Sequence, residues 1–190
     1  ISMGSVIKYF RNDKESFKKG KEKYLKANII KTNTYRDKLL KASKLKKIVG
    51  ISWRSKSKAH KYRSISLEKF IMGIYSPDIC FVNLQYGETE NEINNIKKKY
   101  NIDIFTLKEV DNFNNLDDLA SLLNSCDMIV SIENLIFALA GALSIDSKIL
   151  LGRDCTWYNG ESDLKSYWFK NQAFSRQSSS GGWEEAFNQI

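Results

Sequence analysis

The stretch that decides the fold is residues 126–151, CDMIVSIENLIFALAGALSIDSKILL. Its segment Met128–Ile132 is a short apolar run, which is typical of a strand buried on both faces. Residues 135–143 are apolar almost all round and rich in alanine, which predicts a buried helix, and residues 148–151 predict a second buried strand. A strand, a helix and a strand of this length form the β-α-β unit that a parallel crossover needs.

Two polar residues, Glu133 and Asn134, stand where the first of these strands gives way to the helix. In open α/β sheets, ligands bind beyond the carboxyl ends of the strands and next to helix N-termini. We therefore expect a ligand site at this turn. For Glu133 two interpretations remain open, since it can contact a ribose or take a proton, or it can cap the helix.

The same alternation of strands and helices runs through the chain from residue 47 onward. It predicts an α/β fold with a doubly wound parallel sheet of the Rossmann-like kind in residues 46–190. Residues 1–45 are expected to be a basic interdomain linker or helical segment. The expected strands are residues 47–53, 79–86, 102–107, 128–132, 148–151 and 173–175, and the expected helices are residues 33–43 (capped by Thr32 or Asn33), 64 or 66 to 74, 89–100 (capped by Thr89), 116–126, 135–143 and 183–190.

Right-handed crossovers bring the ends of the first, second, fourth and fifth strands to one rim, so the loops at residues 52–56, 85–87, 131–134 and 152–154 meet there. The first loop is basic, and Arg54 or Lys56 can place a full charge beside a helix N-terminus, as an anion site requires. It contains no glycine, so it is not a G-x-G-x-x-G or Walker loop. An exposed basic loop with a solvated His60 is the alternative.

The composition excludes several classes of protein. Hydrophobic residues make up 42% of the 190 and one proline is present, which is not the composition of a disordered chain. No window approaches the roughly 18 apolar residues of a membrane span, and the first residues do not have the pattern of a signal peptide. Three widely spaced cysteines predict reduced thiols, no zinc site and a cytoplasmic location.

The net charge of +8 hides an asymmetry. Residues 1–63 hold twenty Lys or Arg and four Asp or Glu, whereas residues 64–190 hold ten and eighteen. A basic segment of this kind can bind nucleic acid. It is rich in lysine and its aromatic residues are not spaced as a base-stacking platform, so a solvated helical face is the favoured interpretation and a basic nucleic-acid-binding domain is the alternative.

Several segments, taken in order, resemble one family. They are GISWR (residues 50–54), RSISL (63–67), FVNLQYG (81–87), LDDLA (116–120), SIEN (131–134) and LAGAL (139–143), together with Trp157, Trp168 and Trp183. The ordered set resembles the C-terminal half of GT-B glycosyltransferase-like domains that follow tetratricopeptide repeats and are related to bacterial heptosyltransferases. Residues 24–28, YLKAN, are similar to the segment that joins the two halves in that family.

The resemblance implies that this half binds the nucleotide diphosphate of an activated sugar, with no metal and no cofactor besides that substrate. Such enzymes stabilise the departing diphosphate with helix N-termini and positive side chains. The acceptor site and the base would belong to an N-terminal half that this chain lacks, so no catalytic residue is assigned. The implied nucleotide- and diphosphate-binding residues are Ser52, Trp53, Arg54, Ser55, Lys56, Gln85, Tyr86, Gly87, Ser131, Glu133, Asn134 and Gly152.

One turn departs from the family's pattern. The family's turn often reads Ser-Val-Asp-Asn or Ser-Val-Asp-Thr, with a histidine four or five residues later. Here the acid is Glu133 and Ala138 takes the histidine's position. A non-catalytic binding or scaffold module with a decayed site is therefore the second interpretation.

Overall fold

The computed structural model describes residues 3–45, 47–56, 63–160 and 162–190. Within them lies one sheet of six parallel strands, with the spatial order 3-2-1-4-5-6. The order reverses between the first and fourth strands, as in a doubly wound Rossmann-like sheet, and the predicted fold class is confirmed. The strands are β1 (Lys47–Ser52), β2 (Ile79–Asn83), β3 (Ile104–Phe105), β4 (Met128–Ile132), β5 (Ser147–Leu151) and β6 (Gln172–Arg176).

The described helices flank this sheet, and those from residue 29 onward cover its two faces. They are α1 (Met3–Val6), α2 (Lys14–Lys18), α3 (Ile29–Ser43), α4 (Leu67–Ile74), α5 (Glu90–Tyr100), α6 (Leu116–Asn124), α7 (Leu135–Ala142) and α8 (Glu184–Phe187), and single 3₁₀ turns occupy Ile7–Tyr9 and Trp157–Asn159. Residues 57–62, which include His60 of the predicted basic loop, lie outside the described residues.

The core consists of two layers, one on each face of the sheet. Along a strand, side chains point alternately to opposite faces, so Ile129 of β4 joins the layer beneath α3, α6 and α7, while the adjacent Val130 joins the layer beneath α4, α5 and α8. Both are at most 2% exposed. Burial on both faces explains why the strands read as continuous apolar runs rather than as alternating patterns.

Helix α3 begins earlier than its sequence predicts. Asn28, rather than Thr32 or Asn33, is the cap, and its Oδ1 accepts hydrogen bonds from the backbone N–H groups of Ile30 (3.0 Å) and Lys31 (3.1 Å). Thr32 is instead buried, and its hydroxyl donates to the carbonyl of Ser121 in α6 (3.4 Å). The first turn contains Ile29 and Ile30, but both are exposed, so their positions do not mark the buried face of the helix in a search for apolar periodicity. As a result, α3 contributes Tyr35 and Leu39 to the core, although it belongs to the segment predicted as a linker.

Strand β2 ends three residues before its predicted end at residue 86. The Oδ1 of Asn83 accepts a hydrogen bond from the N–H of Gln85 (2.9 Å), which turns the chain out of the sheet. The Nδ2 of Asn83 donates to the hydroxyl of Thr89 (3.0 Å), so Thr89 stands at the cap position of α5 without a capping hydrogen bond. Among the other predictions, β3 and α8 are shorter than expected, at Ile104–Phe105 and Glu184–Phe187.

The basic first third of the chain lies against the acidic remainder. Lys31 pairs with Asp118, Arg36 with Asp127 (2.7 Å), and Lys38 with Glu109 (2.6 Å). These pairs join α3 to α6 and to the loops that flank it, so part of the charge asymmetry is neutralised within the molecule. No described helix combines the length and the apolar character that crossing a membrane would require.

Candidate functional site

The carbonyl of the Gln85 side chain organises the loop after β1. Its Oε1 accepts three hydrogen bonds, from the hydroxyl of Ser52 (3.0 Å) and from the N–H groups of Trp53 (3.1 Å) and Arg54 (2.9 Å). Gln85 is only 2% exposed. A loop whose N–H groups are satisfied by one buried acceptor is held in a single conformation. The structure thus brings the first and second predicted loops together.

Asn134 links this loop to the turn after β4. Its Nδ2 donates to the Ser52 hydroxyl (2.7 Å) and to the carbonyl of Arg54 (3.4 Å). Its Oδ1 caps α7 by accepting from the N–H groups of Ile136 (2.9 Å) and Phe137 (3.4 Å). The β1 and β4 ends therefore meet at the reversal point of the sheet, where ligands bind in open α/β folds. Asn134 already uses two N–H groups of α7 that a phosphate could otherwise contact.

The positive charges of the first loop have different environments. Arg54 pairs with Glu92 of α5 and also donates to the carbonyl of Glu88. Lys56 is exposed and makes no ion pair within the described part of the chain; its ammonium lies 5.5 Å from the centre of the Tyr86 ring. Among the described cations of this loop, Lys56 is consequently the one available to a ligand. Its backbone N–H donates to the hydroxyl of Tyr86 (2.9 Å), which positions it beside the second loop.

Glu133 is buried, and its carboxylate is occupied by hydrogen bonds from two donors and by an ion pair. Its carboxylate accepts from the N–H of Thr156 (3.0 Å) and from the Nδ2 of Asn159 (2.7 Å), and it pairs with Arg63 at 3.2 Å. It does not cap α7, since Asn134 has that role. A carboxylate with three donors joins the turn after β4 to the loop after β5, and it shows the pattern of a structural anchor. Burial raises the pKa of the neighbouring Tyr158, and Glu133 adds to that rise.

A cavity of about 280 Å³ opens at the ends of β2 and β3. Gln85, Tyr86 and Gly87 form one side of it, and residues 106–113 form the other. Gly87 has a φ of +80°, in the left-handed region that favours glycine. Phe113 is 68% exposed on the rim, and its ring lies 6.1 Å from that of Tyr86. Such a cavity suits a flat aromatic group with polar substituents.

The remaining predicted residues flank these groups. Ser131 donates to the Oδ1 of Asn134 (3.2 Å), Ser55 accepts a hydrogen bond at its carbonyl from Ser64 (3.5 Å), and Gly152 is buried directly after β5. Trp53 is fully buried, and its indole donates to Glu92 (3.0 Å), so it packs in the core rather than presenting a stacking surface. No group of three or more His, Cys, Asp or Glu suited to a metal ion occurs among residues whose placement is described.

Two parts of this edge were missed from the sequence. Residues 106–113 follow a two-residue strand, whereas the sequence predicts a strand that continues to residue 107, so nothing indicated that they enclose a cavity. Glu92 has no role predicted from the sequence, yet it binds both Trp53 and Arg54. An acid within the first turn of the helix after β2 is the signal that could have suggested a partner for Arg54.

Comparisons with known proteins identify the fold. No protein-family model matches the chain. Protein FlbA of Caulobacter vibrioides is 33% identical over 106 residues, which are 55% of this chain and 18% of FlbA. The crystal structure of the glycosyl transferase family 9 from Veillonella parvula DSM 2008 matches with a TM-score of 0.56 and 10% identity, over 82% of this chain and 43% of that structure.

The structural likeness shows that the chain has a GT-B-like, Rossmann-like α/β fold. The chain covers 43% of the glycosyltransferase structure and less than a fifth of FlbA, at 18%.

Proposed function

We propose that this chain binds a nucleotide sugar at the carboxyl edge of the sheet, as the donor-binding, C-terminal half of a metal-independent glycosyltransferase. The observation that carries the proposal is the cavity at the ends of β2 and β3, with Lys56 beside it, next to the reversal point between β1 and β4. The likeness to a glycosyl transferase family 9 structure supports it.

The base and ribose would occupy the cavity between Tyr86 and residues 106–113. The diphosphate would then lie towards the loop after β1, where the ammonium of Lys56 comes within 3.5 Å of the position a Cβ on Gly87 would take. A pre-organised cation stabilises the charge that develops on a departing diphosphate. The loop itself is rigid because Gln85 and Asn134 hold it from both sides.

The acceptor and the catalytic base would come from a second, N-terminal half, and tetratricopeptide repeats are proposed as a further attached partner. The chain's coverage of 43% of the glycosyltransferase structure is consistent with a half of such an enzyme. The three free thiols fit a reducing compartment, so a cytoplasmic location is part of the proposal.

Calorimetric titration with UDP-, GDP- and ADP-glucose tests the proposal. The expected result is saturable binding of at least one of them, weakened by Phe113→Ala. Phe10→Ala is a matched control, because Phe10 is equally exposed (66% against 68%) and does not line the cavity. Base–aromatic contacts contribute about 1–3 kcal/mol, so the Phe113 variant should bind at least fivefold more weakly. Absence of heat and of thermal stabilisation at millimolar ligand would contradict the proposal.

A second candidate function is a non-catalytic binding or scaffold module on the same fold. Three observations favour it: Asn134 occupies N–H groups of α7, Glu92 neutralises Arg54, and Glu133 is fully engaged. Ala138 stands where the resembled family has a histidine. This candidate predicts no binding of any nucleotide sugar to the folded chain, so the same titration distinguishes the two.

A further inference from the structure

A second cavity lies at the opposite, amino edge of the sheet, where β1, β4, β5 and β6 begin. Its volume is about 450 Å³, larger than that of the cavity at the carboxyl edge. Its lining contains more cations than anions. The charged residues around it are Lys47, Lys148, Lys165, Lys170, Asp127 and Asp146.

Both carboxylates of this lining have other partners. Asp127 accepts from Arg36 (2.7 Å) and from the N–H of Ile48 (2.7 Å). Asp146 accepts from the Nδ2 of Asn171 (2.9 Å). Among the lysines, Lys170 approaches Glu22 at 3.8 Å. The other three lysines form no ion pair with any residue whose placement is described, and Asp146, whose partner Asn171 is neutral, is one carboxylate against these three cations, so positive charge is in excess around the cavity.

Two of these lysines are held on opposite sides of one small residue. Lys148 of β5 is in register with Ala173 of β6, and Lys165 is bridged to the same Ala173 from the other side. Residues in register point to the same face of a sheet. Because adjacent strands lie about 4.8 Å apart, the two lysine stems start about 10 Å apart with only a methyl group between them. This pair is named the lysine clamp.

We propose that the lysine clamp binds a small molecule that carries two or more phosphate groups. Ammonium groups are compact point charges that bind phosphate well, and several unneutralised cations around one cavity repel each other until an anion enters. A nucleic-acid strand would need an extended basic groove with stacking aromatic residues, whereas the described residues that line this cavity include no aromatic residue. The site is separate from the nucleotide site, which lies at the other edge of the sheet.

A simpler role for Lys165, which lies beside the outermost strand β6, is protection of that strand from pairing with another chain. Titration with inorganic tripolyphosphate at low ionic strength separates the two roles, with orthophosphate for comparison. Binding with one-to-one stoichiometry, stronger than that of orthophosphate, is expected. Lys148→Gln and Lys165→Gln should each weaken it about tenfold, the effect of losing one charge-assisted contact. Lys41→Gln, on an exposed lysine of α3, should leave it unchanged.

Circular dichroism verifies that each variant is folded, and the exposed position of Lys165 makes its variant usable should Lys148→Gln destabilise the sheet. Lack of tripolyphosphate binding, or binding that neither substitution weakens, would overturn the proposal. Tighter binding of a single-stranded oligonucleotide than of tripolyphosphate would also overturn it. This test is independent of the nucleotide-sugar proposal. The two lysine variants change binding at the amino edge of the sheet, whereas Phe113→Ala changes binding at the carboxyl edge.

Discussion

Replacing Gln85 with methionine removes the acceptor that holds the loop after β1 while keeping the length of the side chain. The Oε1 of Gln85 accepts from the Ser52 hydroxyl and from the N–H groups of Trp53 and Arg54, at 2.9 to 3.1 Å. In the variant these donors remain in place, but the group facing them is an apolar thioether. The predicted consequence is a less stable fold and a mobile loop after β1.

The magnitude follows from how deeply each donor is buried. Ser52 and Trp53 are 0% exposed, so water cannot replace the lost acceptor for either of them. A buried donor left without a partner costs about 1–3 kcal/mol, and two such donors at about 1.5 kcal/mol each give about 3 kcal/mol. Arg54 is half-exposed, and because water can reach its N–H we add nothing for it. For a chain of this length the loss corresponds to a melting temperature lower by about 6–12 °C.

Urea unfolding followed by circular dichroism measures this loss. Ser52→Ala should cost about 1 kcal/mol, and the double variant should cost less than the two single changes together, since both break the same bond. Gln189→Met, at an exposed position near the end of the chain, should be neutral. A change below 0.5 kcal/mol for Gln85→Met, or strict additivity with Ser52→Ala, would refute this account of the loop.

Three further predictions concern the rest of the fold. Cys155 should react with maleimide in the native protein, whereas Cys80 and Cys126 should react only after unfolding. Both of these thiols are buried, and burial raises their pKa values. Equal labelling of all three cysteines in the native protein would contradict this. Gly50→Ala should cost about 2 kcal/mol in urea unfolding, because the new Cβ would lie 2.5 Å from the buried side chain of Leu84, just after β2, and 2.8 Å from that of Ile129 in β4; a neutral effect would contradict this. The Tyr167 hydroxyl donates a hydrogen bond to Asp163 (2.5 Å) and lowers the pKa of that carboxyl group. The stability from this bond is therefore present above pH about 4 and is lost as the pH falls through the pKa of the folded state. Tyr167→Phe should destabilise the protein at pH 7 and have less effect at pH 2; equal losses of stability at both pH values would contradict this.

The sequence predicts most of the sheet because its strands are buried on both faces. Met128–Ile132 and the helix that follows it appear within one residue of the predicted bounds, since continuous apolar runs leave few other arrangements. The errors arise where a polar side chain bonds to its own backbone. Asn28 starts α3 and Asn83 ends β2 through such bonds, which hydrophobic periodicity does not report.

At the candidate site, the chain order predicts which loops meet but not which side chains are free. Arg54 and Lys56 are equivalent as basic residues in the sequence, yet Glu92 of a later helix pairs with Arg54 and leaves Lys56 open. Similarly, Glu133 anchors the loop after β5, through Thr156 and Asn159. These partners are distant in sequence, so their roles depend on three-dimensional packing.

The central claim is that a nucleotide sugar binds at the carboxyl edge of the sheet. Backbone amide chemical shifts of the isotopically labelled chain, recorded during titration with UDP-, GDP- and ADP-glucose, test it most directly. We predict saturable shifts at Lys56, at Gly87 and within residues 106–113, with the amides around Ala173 unchanged. Shifts confined to the amino edge around Ala173, or no shifts with any of the three ligands at millimolar concentration, would contradict the claim.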